Sequence, residues 1–137
     1  MTTSHRSPLA RAFAPLAGAT SLFILCQAVT AGQFLADESA EVQVEVHSMV
    51  GYLTLLAALA TAVVAIIAFR RTAPGLAIAS AGLAALTVFQ LVIGKLITDD
   101  EQDGWIAVHV PLALLVFGLT IWLAFAAGRE RRAAVAP

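Results

Sequence analysis

Two histidines, His47 and His109, are the residues of this sequence best suited to chemistry. Each stands in an apolar stretch, where an ionisable side chain is costly and its presence points to a ligand, a proton or a partner. Their positions also match. Laid over itself without gaps at an offset of 62 residues, the chain from Ala31 falls on the chain from Ile93, with Gly32 on Gly94, Asp37 on Asp99, His47 on His109 and Leu53 on Leu115. The pattern reads as an internal repeat carrying one histidine per copy. Two imidazoles meeting across a helix bundle would form the axial ligand set of a haem, and imidazole also suits copper.

The elements that must position them are membrane helices. Of 137 residues, 60% are hydrophobic and 12% charged, whereas an ordinary soluble domain is roughly a quarter charged. Four apolar segments, about 14–36, 46–69, 74–98 and 105–127, each reach the roughly 20 residues a helix needs to cross a bilayer. Their connections are short. The expected fold is therefore all-α, a single domain over 1–137: an integral membrane antiparallel four-helix bundle with an internal two-helix repeat, 14–69 and 74–127. Pro74 suits the first turn of the third helix, and Pro111 the early part of the fourth, where N–H groups lack intrahelical partners.

Charge sets the expected orientation. Every arginine flanks one end of the bundle: Arg6 and Arg11 before the first span, Arg70 and Arg71 after the second, Arg129, Arg131 and Arg132 after the fourth. That end should be cytoplasmic, with both termini inside a bacterial-type cytoplasmic membrane. Acids crowd the other end, with Asp37, Glu38, Glu41 and Glu45 expected in the first outer connection and Asp99, Asp100, Glu101 and Asp103 in the second. Trp105 fits an aromatic belt there. The basic residues form short membrane-flanking clusters rather than a stripe, so nucleic acid is not an expected partner. The basic start, the apolar run and Val29-Thr30-Ala31 also fit a cleaved signal peptide, but the repeat makes the first span equivalent to the third and favours keeping it. Cys26 follows Leu25, where a lipoprotein site would need a small residue, and it has no disulfide partner.

On this topology the second and fourth helices run the same way on diagonal corners, with both histidines near their outer ends. From His47 to Arg70 and from His109 to Arg129, 23 and 20 residues, is roughly 30–35 Å of helix, so the imidazoles lie at similar depth. A diagonal of about 11–14 Å suits an iron between two imidazoles. Gly51 and Ala113, each four residues after a histidine and on its face, are small enough to admit a flat ring, and Gly32 and Gly94 add matched small positions. Gln27, Gln33 and Gln90 are expected to hydrogen-bond between helices. Lys95, the one lysine, either pairs with Asp99 or, with Gln33 at the equivalent repeat position, meets outward-facing haem propionates.

Gln90 to Gly94, then Asp99 to His109 and Ala113, together with the paired histidines, resemble one four-helix half of haem A synthase, and more loosely small uncharacterised four-helix bacterial membrane proteins. The resemblance implies that His47 and His109 hold haem near the outer face. It does not extend to catalysis: the family's glutamate three residues before the histidine of the second helix and the arginine after it are replaced by Val44 and Ser48, and the second half and the loop cysteines are absent.

The expected function is a small b-type haem protein, cytochrome-like, with His47 and His109 as metal ligands, working in electron transfer or haem handling. Its expected partners are the lipid bilayer, a quinol or an outer-face redox protein, and a second copy of the chain. Two alternatives stand beside it. One is copper or other metal binding or transport by His47, Met49 and His109, although Met49 is two residues from His47 and points away by roughly 200° on a continuous helix. The other is an accessory subunit without a ligand. An enzyme is not expected, for want of a nucleophile with a positioned base or an intramembrane carboxylate pair.

Overall fold

The computed structural model describes residues 7–36 and 41–133, and all of its regular structure is helical. Four long helices, α1 (Pro8–Ala36), α2 (Glu41–Phe69), α3 (Pro74–Thr98) and α4 (Ile106–Ala133), are joined by short connections, with a 3₁₀ turn over Asp103–Trp105 ahead of α4. All four are long and apolar enough to cross a membrane, as in a multi-pass membrane protein. His5, Arg6, Asp37 and Glu38 lie outside the described residues, as do the side chains of Arg131 and Arg132.

Helix α3 runs from Pro74, as expected from its proline, whose missing N–H costs nothing at the first turn. Helices α1 and α2 start earlier than their apolar segments. Glu41 and Glu45 therefore lie within α2 rather than in the connection, with Glu41 in the first turn. Glutamate is a good helix former and its charge suits the positive end of the helix dipole, so the helix continues past the apolar boundary. Because α1 begins at Pro8, Pro15 falls inside the helix, where it removes one backbone donor without ending the element. The α3–α4 connection turns through Glu101, whose φ of 53° is left-handed, and the Gln102 N–H bonds back to the Leu96 carbonyl at 3.1 Å.

Among the described residues α1 packs on α2 and α4, and α3 packs on the same two, so α2 and α4 occupy diagonal corners. Residues of α1 meet α2 in reverse order: Phe13 stacks edge-on against Phe69, Thr20 meets Thr61, and Gln27 meets His47. The interior is rich in small and hydroxylated residues, with Ala17, Ala58, Ala65, Thr20, Thr61, Ser80 and Thr120 fully buried around a few large ones, Phe13, Leu83 and Leu123. Large apolar side chains such as Leu56, Ile78, Leu114 and Phe125 face outward. In water this would be inside out. In lipid it is the expected arrangement, because tails offer no hydrophobic drive and close backbone approach through small residues supplies the packing. Most of the buried hydroxyls return their protons to carbonyls of their own helix, as Thr61 does to Ala57 at 2.8 Å and Thr87 to Leu83 at 2.8 Å, whereas Ser80 Oγ has no partner among the described residues.

Two substitutions test this packing. Thr61→Val keeps the shape and removes the 3.3 Å contact with Thr20, so it should cost about 0.6 kcal/mol, the average for such bonds between membrane helices. Ala58→Leu, at a fully buried position, should cost more, about 1–3 kcal/mol, by overpacking. Reversible unfolding in mixed micelles reads both, and a tolerated Ala58→Leu would contradict this helix interface.

Candidate functional site

The N-terminal ends of α2 and α4 bring the two histidines together. The ring centroids of His47 and His109 are 6.5 Å apart, with planes inclined at 52°. Both side chains are half-buried. Each ring nitrogen lies about 1.15 Å from its centroid, so no nitrogen of one ring approaches the other ring's closer than about 4.2 Å, well beyond the 3.2 Å limit of a hydrogen bond. The histidines therefore do not bond to each other. That lower bound is wide enough to take one metal ion between the rings, since two metal–imidazole bonds of about 2.1 Å span about 4.2 Å end to end.

The shell around each histidine is partly duplicated. On α1 the Gln27 side-chain amide donates to the His47 backbone carbonyl at 2.9 Å, and on α3 the Gln90 amide donates to the His109 carbonyl at 2.9 Å. Each glutamine thus ties its helix to the turn that carries the imidazole. The interhelical role expected of Gln27 and Gln90 is what they perform, whereas Gln33 is exposed.

The imidazoles themselves are treated differently. His47 Nδ1 lies 3.1 Å from the Gln27 carbonyl and 3.0 Å from Thr30 Oγ1. The Thr30 hydroxyl is placed to donate to the Cys26 or Gln27 carbonyl, at 3.1 and 3.0 Å, and the Gln27 carbonyl can only accept. The proton between these atoms therefore sits on Nδ1 of the neutral ring, leaving the lone pair on Nε2. A ring N–H bonded to a backbone carbonyl in this way is common in histidines that bind metals through the other nitrogen. On the other side, His109 Nδ1 and Gln90 Oε1 are buried with no hydrogen-bond partner among the described residues.

The small residues serve this shell. A Cβ added at Gly94 would lie 3.3 Å from His109 Cε1, so the missing side chain makes room for the imidazole. One added at Gly51 would lie 2.9 Å from Gln27 Nε2 and 3.5 Å from the Leu91 side chain, so Gly51 admits the amide that clamps His47. Ala113 is half-buried, and nothing lies within 4 Å of a Cβ built on Gly32. Lys95 forms an ion pair with Asp99 at 2.7 Å, one helical turn away. The Lys95 ammonium, then the Thr98 hydroxyl, hold the Asp99 carboxyl below its ordinary range. Met49 is 59% exposed and so faces away from the two rings.

Thr30 and the Gln27 carbonyl were not foreseen as functional groups. The ungapped offset of 62 sets Gln27 against Phe89 and hides its equivalence to Gln90. The glutamines stand 20 and 19 residues before their histidines, so one residue of difference in the outer connections aligns them. No protein-family model matches the chain, and comparison with curated proteins and with solved structures gave no match.

The packing around the rings predicts opposite outcomes at two glycines. Gly32→Ala should raise stability by up to about 1 kcal/mol through helix propensity alone. Gly94→Ala gains the same propensity but must displace the His109 ring by a few tenths of an ångström. Thermal unfolding in detergent should rank Gly32→Ala above Gly94→Ala; the reverse order would mean that Gly94 does not accommodate His109.

Proposed function

We propose that this protein is a small integral membrane b-type haem protein, an antiparallel four-helix bundle with an internal two-helix repeat. Haem b would be held by His47 and His109 near the extracytoplasmic face of a cytoplasmic membrane. The observation that carries this reading is the 6.5 Å separation of the two imidazoles, too wide for a hydrogen bond between them and wide enough to take one metal ion. The donor set favours haem. Among the described residues no three of His, Cys, Asp and Glu gather into a metal-binding group, and the ligands those residues bring together are two imidazoles. Haem brings four equatorial nitrogens of its own and asks the chain for two axial ones.

When bound, the haem iron supplies one-electron chemistry. The chain's part is to hold the ligands. The Gln27 carbonyl and Thr30 orient His47 and fix its tautomer, which raises the basicity of the ligating nitrogen. Gln27 and Gln90 fix the backbone at each histidine. The site is a candidate for electron transfer or haem handling with a quinol or an outer-face partner. Lys95, whose ammonium has three donors, can keep Asp99 and still meet a propionate, with Gln33 at the other repeat's outer end.

The same separation suits a second reading, a single copper(I) ion bridging the two imidazoles in two-coordinate geometry. Its thioether variant loses support from the outward position of Met49.

Oxidised and dithionite-reduced visible spectra of the detergent-purified protein separate the readings. The haem reading expects a sharp reduced α band with a protoporphyrin haemochrome, weakened at least tenfold in a His47→Ala/His109→Ala double variant. A colourless parent that takes up no added haem but binds one copper(I) per chain would replace it with the copper reading. Lys95→Ala should lower haem retention several-fold on dilution, and unchanged retention would remove the propionate role.

A further inference from the structure

The two histidines are alike in helix, depth and backbone clamp, and differ in what their rings touch. Counted from the clamping glutamines, Thr30 stands three residues after Gln27, and the residue three after Gln90 is Ile93. Thr30 supplies a hydroxyl to His47 Nδ1 at 3.0 Å. Ile93 is 1% exposed and supplies none, and His109 Nδ1 is buried without a partner among the described residues. The Gln27 carbonyl also bonds the ring of its histidine. The Gln90 side chain reaches only the His109 backbone, with its own Oε1 unbonded among the described residues.

Resting on the haem reading above, we propose that the axial ligands are unequal by construction: His47 is the permanent ligand, and His109 is the displaceable one, so the α4 side of the site admits a small neutral donor molecule. Loss of an outer-shell partner typically weakens a metal–histidine bond 10–100-fold, and on His109 that loss is built into the sequence. A fixed tautomer and ring orientation hold His47 ready to bind. The His109 ring has no such hydrogen bond to restore it once a competitor occupies its place. Thr30 is accordingly a positioning residue, acting through His47.

The test uses the full-length, haem-loaded protein in detergent. His109→Gly should keep at least half of the parent's haem, and added imidazole should restore the parent's spectrum. His47→Gly should lose haem at least tenfold faster on dilution. The dithionite-reduced parent should bind carbon monoxide, and Ile93→Thr, which gives His109 the hydroxyl His47 already has, should weaken that binding several-fold while leaving the fold intact. Thr30→Val should speed haem loss, and Thr30→Ser should restore it. Equal haem loss from the two glycine variants, or preferential loss from His109→Gly, would overturn the assignment while leaving the haem reading standing. Carbon monoxide binding unchanged in Ile93→Thr would likewise overturn it. A parent that takes up no haem would overturn both, and the colourless spectrum identifies that case.

Discussion

A polar group enclosed by apolar helices must find its hydrogen bonds within the protein, and the backbone carbonyls of two histidines near the N-terminal ends of α2 and α4 find theirs in the same way. At each, a glutamine from the preceding helix donates its amide to the histidine's own carbonyl. That bond sets the register of α1 against α2 and of α3 against α4 at the level of the imidazoles. Gly51 leaves space for one amide, and Gly94 leaves space for one ring. With α2 and α4 on diagonal corners, the two rings lie with centroids 6.5 Å apart and planes inclined at 52°, too far for a hydrogen bond between them.

The rest of the molecule supports that geometry without competing for it. Alanine, serine and threonine make up much of the interior, many large aliphatic side chains face outward, and buried hydroxyls are mostly satisfied by carbonyls of their own helices. Such an interior is rigid because backbones approach closely, and it leaves few groups able to bind anything. The chemistry is therefore concentrated at the N-terminal ends of α2 and α4, where His47 and His109 lie.

Much of this was legible in the sequence, for physical reasons that differ by element. Hydropathy locates all four helices, and Pro74 marks the start of α3 because a proline's missing N–H costs nothing at a first turn. Hydropathy fails at the starts of α1 and α2, since Glu41, Gln43 and Glu45 continue a helix while leaving the apolar run. The histidine pair stands out because ionisable residues in apolar helices are few. The glutamine clamps were harder to see, because a one-residue difference between the outer connections breaks the ungapped repeat. Thr30 was invisible. A threonine in an apolar helix usually returns its proton to its own backbone, and this one does so while also accepting from His47. Only the folded geometry shows both bonds.

The central claim is that His47 and His109 share one metal centre, and low-temperature electron paramagnetic resonance of the oxidised, haem-loaded protein tests it most directly. The account predicts a low-spin ferric signal, with two axial imidazoles, integrating to one spin per chain. A high-spin ferric signal in the parent, or a low-spin signal that survives replacement of both histidines, would contradict it.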